Sequence, residues 1–192
     1  MVERVDRMPI LRKSGAIYRD LIAAPRDRDA EIVNGRLYGT HRAPLRSSLV
    51  AAALGAILDG SARDHWWILR KAEVRLRDDV LVPDLSGWRR DRLPEIPDVP
   101  WMNVVPDWTC EVMLSRSEER LDREIKLPVY AREGVACVWL VKLLTRTLEV
   151  YWRDGSSWSL IDAHTGEGTI RVEPFDEIEW ELGRLWADQE AY

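Results

Sequence analysis

Apolar positions recur along this chain at two spacings, every second residue or every third to fourth, and the switches between them mark strands and helices. The first fifteen residues follow neither spacing and read as a loose tail. A short helix is expected over residues 16–23, ending before Pro25. Within Glu31-Ile-Val-Asn-Gly-Arg-Leu-Tyr, the Asn34-Gly35 pair between two apolar runs predicts a hairpin, because both residues tolerate positive φ. Leu45, Leu49, Ala53 and Ile57 recur at steps of four between Pro44 and Asp59, which predicts an amphipathic helix with Gly60 past its end. Residues 65–77 and 80–88 are rich in Trp, Val, Ile and Leu and read as two strands paired through a tight turn at Asp78-Asp79.

The stretch 89–106 carries four prolines and reads as loop, followed by a strand over 108–114. In that strand Trp108, Cys110, Val112 and Leu114 share one face, and Glu111 and Met113 share the other. Residues 117–133 read as a helix with an apolar stripe of Leu121, Ile125 and Val129 beside a second stripe of Asp122, Lys126 and Tyr130. Pro128 inside it predicts a kink, and Gly134 its end. Strands over 135–142 and 147–152, a turn at Gly155, a strand over 157–161 and an acidic C-terminal segment complete the chain. One long helix crossing over between the strand of Glu111 and the strand at Val135 implies an α/β fold, a mixed β-sheet flanked by helices.

Composition bounds the chemistry. A chain of 192 residues suits a single domain, expected over 16–192 behind the tail at 1–15. With 46% hydrophobic and 32% charged residues, no apolar run near the ~20 needed to span a bilayer and no apolar leader segment, it reads as a soluble, cytoplasmic protein with no membrane role. Cys110 and Cys137 lie in apolar runs and are expected to be buried and reduced. His41, His65 and His164 are scattered and no CxxC occurs, so a zinc site is not expected. The net charge of −5 resides in residues 171–192, which hold seven acids and two bases, and leaves the remaining body neutral. Global charge therefore neither supports nor excludes a polyanionic partner.

Asp84 and Glu111 sit where neighbouring strands bring two carboxylates together. At ~4 Å and an effective dielectric of about 20 they repel by roughly 4 kcal/mol, so such a pair needs a proton or a cation. An oxygen-only donor set selects magnesium or manganese, and Lys126 stands ready to orient water or offset developing charge. The same residues also read as a turn aspartate, an exposed strand glutamate and an ordinary helical ion pair of Asp122 with Lys126 worth ~0.3–0.5 kcal/mol. Spacing alone leaves both open.

The runs Val80-Leu-Val-Pro-Asp-Leu-Ser-Gly-Trp-Arg-Arg, Pro106-Asp-Trp-Thr-Cys-Glu-Val, Leu121-Asp-Arg-Glu-Ile-Lys-Leu-Pro-Val-Tyr-Ala-Arg-Glu-Gly-Val, and Val138-Trp-Leu-Val with Arg146-Thr-Leu-Glu-Val, taken in that order, closely resemble the Uma-two family of restriction endonuclease-like proteins in the PD-(D/E)XK nuclease superfamily. The likeness extends from about Ala30 to Asp176. It implies a restriction endonuclease-like mixed sheet and a magnesium- or manganese-dependent endonuclease hydrolysing DNA phosphodiesters. Asp84 then matches the aspartate of the PD motif and Glu111 the acid of the (D/E)XK motif, with the carbonyl of Val112 as a further metal ligand. The lysine of that motif should fall at 113, where this chain has Met113, and Lys126 of the following helix matches its substitute. Glu31 and Glu73 match further acidic positions that support the site through water, and Asp122 and Tyr130 flank Lys126 on its stripe.

Three departures stand beside the likeness. After Glu111 the chain is one residue longer than the common Glu-Val-Leu-Ser-Pro-Ser pattern, with Arg116 in place of the proline, so Lys126 reaches the metal only where a bulge absorbs the extra residue. Lys142 replaces an acid after Trp-Leu-Val, and Thr40-His-Arg-Ala-Pro replaces a Pro-Arg-rich segment. A second reading is therefore a catalytically inactive nucleic-acid-binding or assembly module on the same fold. Arg89, Arg90, Arg92, Arg116, Arg120 and Arg123 are the candidate phosphate contacts, most of the ten tryptophans are expected in the core, and a two-fold homodimer would let one site per subunit address each DNA strand.

Overall fold

The computed structural model describes residues 13–25, 28–41 and 45–186. Residues 1–12 of the expected tail lie outside it, while Lys13–Ser14 form a two-residue strand, β1, paired with Leu37 and Arg36. Helix α1 (Tyr18–Ile22) stops before Pro25. Strands β2 (Arg28–Val33) and β3 (Arg36–His41) form the expected hairpin, with Asn34 and Gly35 at φ 51° and 68°, the left-handed pair that a two-residue turn requires.

Helix α2 (Leu45–Ala62) runs through Gly60, and its buried face is Val50, Leu54, Ile57 and Leu58, so that of the expected stripe Ile57 is buried and Ala53 packs against the core. Leu45 and Leu49 are exposed. The segment is apolar almost all round, so its sequence marks no single face for the core. Its length and composition would also suit a membrane span, contrary to expectation, yet here it packs on the sheet as a core helix.

The two strands expected between 65 and 88 are each broken in two. Strands β4 (Trp66–Arg70) and β7 (Leu85–Arg89) pair with one another, and so do β5 (Val74–Leu76) and β6 (Asp79–Leu81). The β5–β6 turn falls at Arg77-Asp78, one residue earlier than expected, with Arg77 at φ 55°. The breaks lie at Lys71, whose φ is 48°, and at Pro83, which has no N–H for a ladder. This long hairpin leaves one sheet and enters another.

Strand β8 (Trp108–Met113) follows the loop, and the crossover consists of α3 (Arg116–Arg120), a π-helical segment (Leu121–Lys126) and α4 (Leu127–Glu133). Ser115 caps α3 by accepting from the Glu118 N–H, while the Glu118 carboxylate accepts from the N–H groups of Leu114 and Ser115. Pro128 closely follows the π-helical segment, with Lys126 and Leu127 both in right-handed helical backbone, and Gly134 closes the helix at φ 98°. Strands β9 (Cys137–Lys142), β10 (Thr147–Asp154) and β11 (Ser157–Thr165) follow. The acidic C-terminal segment folds into a hairpin, β12 (Thr169–Val172) and β13 (Phe175–Glu181), then a short 3₁₀ turn.

One sheet runs β1-β3-β2-β6-β5, and a second runs β11-β10-β9-β8-β7-β4, with β8 and β9 parallel, as the crossover requires. The β8 alternation holds: Trp108, Cys110 and Val112 pack toward α2 and the C-terminal hairpin, and Met113 packs toward the crossover helix. Trp108 and Trp139 meet edge-on at 5.1 Å, with Phe175 of the hairpin 5.1 Å from Trp108. On the other side Leu127, Val129 and Tyr130 pack with residues of both sheets, including Val33, Leu81 and Leu140. Cys110 and Cys137 are buried free thiols, and six of the ten tryptophans are buried.

Candidate active site

Where β6 gives way to β7, the ladder between β7 and β8 also stops. Its last pair is Leu85 with Cys110, and continuing that register would set Pro83 opposite Val112. The Asp84 carboxylate takes over, accepting from the Val112 N–H through Oδ2 at 2.7 Å. On the other sheet Glu31 does the same for Val82, accepting from its N–H at 2.7 Å. Both acids are thus fixed by backbone donors at the point where the two sheets diverge, and a small cleft of about 50 Å³ opens there.

Glu111, on the helix-facing side of β8, lines this cleft and is buried. Its Oε1 receives the Lys126 ammonium at 2.7 Å and the Tyr130 hydroxyl at 2.5 Å, so Oε2 is the oxygen left for the cleft. Lys126 also lies 3.0 Å from Glu31 and 3.6 Å from Asp122. The crossover is π-helical over the six residues that end at Lys126, the Leu127 N–H donating five residues back to Asp122. A π turn holds one more residue than an α turn.

Burial pushes the Glu111 carboxyl up to about 7, the Lys126 ammonium opposing and the charges of Asp84 and Glu31 adding to the rise. Asp122 is also pushed well above the usual carboxylate range, first by burial and then by Glu111. Burial alone would lower the Lys126 pKa, but Glu111 and Glu31 outweigh it and hold the ammonium protonated. Tyr130 is raised by burial and stays a neutral donor. Six acids, Asp29, Glu31, Asp84, Glu111, Glu118 and Asp122, line the cleft against two ammoniums, Lys71 and Lys126.

That excess of negative charge, with oxygen donors only, fits a hard divalent cation. Among the described residues no three acids, cysteines or histidines converge as a ready-made metal cage. Magnesium keeps several waters and takes only one or two carboxylates, and Asp84, Glu111 and the Val112 carbonyl are the residues that could hold it.

The family model described as "Putative restriction endonuclease" (Uma2) matches residues 17–184. The chain belongs to the Uma2 family. A crystal structure of "a putative nuclease belonging to DUF820" from Anabaena variabilis ATCC 29413 shares this fold, with a TM-score of 0.70 at 15% identity, covering 90% of this chain and 98% of that one. No curated protein matches. The Uma2 fold thus carries a nuclease-like family identity, and the cleft lies at the motifs by which the sequence resembles it.

Other expected residues of this Uma2 chain fall elsewhere. Glu73 does not line the cleft; it pairs with Arg75 at 2.7 Å, and Arg75 lies between the rings of Tyr18 and Trp101. Strand β7 bends away from Asp84 and carries Arg89 to its far end, roughly 17 Å off at ~3.4 Å per residue. Arg90 there stacks on Trp67 at 3.4 Å, and Arg92 is held by Asp107. These three arginines therefore do not face the cleft. Arg123 is tied to Glu119, Glu149 and Tyr151. Arg116 and Arg120 remain exposed at the start of the crossover, beside Glu118 and Leu121 of the cleft. Lys142 pairs with Glu149.

Sequence reasoning missed Asp29, Glu118 and Lys71, all of which line the cleft, and Lys71 is the one that contacts Asp84. Its ammonium lies 2.8 Å from Asp84 Oδ1 and 3.5 Å from Asp29. The signal was the polar run Arg70-Lys-Ala-Glu interrupting a strand too long to be one piece.

Proposed function

We propose that this chain is a metal-dependent nuclease that hydrolyses DNA phosphodiester bonds at the cleft, with Asp84, Glu111 and the Val112 carbonyl holding magnesium or manganese. The observation that carries the reading is the contact of buried Lys126 with buried Glu111, at 2.7 Å, in the cleft that Asp84 also lines. When bound, the metal supplies Lewis-acid polarisation of a phosphoryl oxygen and a lowered pKa for water beside it.

The chain's own groups do the remainder. Lys126 stays protonated and so is not a general base; it donates toward an attacking water or toward negative charge building on the phosphoryl oxygens. Tyr130 and Lys126 both hold Glu111 by Oε1 and leave Oε2 to neither. The Val112 N–H orients Asp84. Exposed Arg116, with Arg120 once it leaves its ion pair with Glu124 at 3.5 Å, would meet flanking phosphates.

The test is cleavage of plasmid and single-stranded DNA with magnesium or manganese, comparing wild type with Asp84→Asn, Glu111→Gln and Lys126→Met. Wild-type cleavage lost in all three variants supports the reading, and equal activity in every preparation removes it. A second reading, a noncatalytic module that binds DNA, is favoured by the Lys71–Asp84 ion pair, which gives the first carboxylate a partner without a metal. DNA binding without cleavage under any divalent cation would select it.

A further inference from the structure

Both oxygens of Asp84 are engaged, and the two engagements differ in kind. Oδ2 is held by a strand amide, the Val112 N–H, which cannot leave without unpairing β8. Oδ1 is held by Lys71 at 2.8 Å, at the end of a flexible side chain that is 42% exposed and has a second carboxylate, Asp29, at 3.5 Å. The Lys71 backbone is left-handed at φ 48°, an uncommon conformation for a residue with a Cβ. It is kept there at the β4–β5 break, where the Lys71 N–H donates to the Asp84 carbonyl at 3.2 Å. Backbone and side chain of Lys71 are thus both anchored on the residue proposed as the first metal ligand.

We propose that Lys71 is a resident counter-ion that occupies the cation's place on Asp84 and is displaced, toward Asp29 or solvent, when a divalent metal enters. The inference rests on the metal-dependent reading above and adds to it a residue that sets metal affinity. Lys126 is different: it is buried against Glu111 and Glu31 and has no exposed route away. Lys71 exchanges with the metal, and Lys126 stays.

The experiment is calorimetric titration of Mn²⁺ into wild type, Lys71→Met, Lys71→Arg and Asp84→Asn, with thermal melts of each in chelator and in saturating Mn²⁺. Removing a half-exposed competitor is expected to tighten Mn²⁺ binding by roughly three- to tenfold in Lys71→Met. Lys71→Arg, which keeps the charge, should bind as wild type does. Lys71→Met should melt lower than wild type in chelator and recover when Mn²⁺ is added; a merely structural lysine would lower both melts. Wild-type Mn²⁺ binding with unchanged or weaker binding in Lys71→Met overturns the counter-ion role and leaves the metal site standing. Failure of both wild type and Lys71→Met to bind Mn²⁺ overturns the site itself and the inference with it.

Discussion

Replacing Lys126 by Met keeps an unbranched side chain one atom shorter and removes the buried cation that touches Glu111. At 2.7 Å from Glu111 and 3.0 Å from Glu31, the ammonium gains about 6 kcal/mol from each contact at an effective dielectric of 20, before the cost of burying it. Breaking a buried pair by removing one partner typically costs about 3–5 kcal/mol, because the other charge is left without compensation. Glu111 offers a way out, since burial already holds its carboxyl near 7 and losing Lys126 raises it further. A carboxyl whose folded pKa exceeds its unfolded value binds more protons in the native state, so stability falls as pH rises between the two. That window runs from about 4.5 to 7 in wild type and extends upward in the variant. Urea unfolding should therefore show Lys126→Met destabilised by about 3–5 kcal/mol at pH 8, and by at least ~1 kcal/mol less at pH 5.5. An equal loss at both pH values would refute the electrostatic account and leave only lost packing.

Three further outcomes follow from the same geometry. Tyr130→Phe removes a 2.5 Å hydrogen bond to a buried carboxylate and should cost about 1.5–3 kcal/mol in urea unfolding; no measurable change would mean the bond is not formed in solution. Mn²⁺ affinity should rise with pH through about 7, because proton and metal compete for Glu111, and a flat calorimetric profile from pH 6 to 8 would exclude Glu111 as a ligand. Glu73→Gln should leave both Mn²⁺ affinity and DNA cleavage at wild-type levels, since Glu73 is spent on Arg75 away from the cleft; a loss in either would restore it to the site.

The sequence carried most of what is local and periodic. Asn34-Gly35 and Gly134 act through local conformational preference and β8 through its period-two alternation, and each is found where expected. The face of α2 was not legible because Leu45 and Leu49 are as apolar as the Val50 and Leu54 that are buried in their stead. The C-terminal hairpin hid its core residues, Val172, Phe175 and Trp180, among acids that face outward. At the site, Asp84, Glu111 and Lys126 were placed by motif, and all three line one cleft. The π-helical backbone over Leu121–Lys126 was not legible, because no single residue marks it. Glu73, Arg89, Arg90 and Arg92 do not line the cleft, because the hairpin around Arg77 changes sheets at Lys71 and Pro83 and redirects the segments on either side. That same bend brings Lys71 to Asp84.

The most direct measurement is anomalous diffraction from a crystal of the protein grown with Mn²⁺. The account predicts a single strong peak within coordination distance of Asp84 and Glu111, with the Lys71 ammonium moved off Asp84 and Lys126 still on Glu111. A cleft without anomalous density, with Lys71 still seated on Asp84 at saturating Mn²⁺, would contradict it.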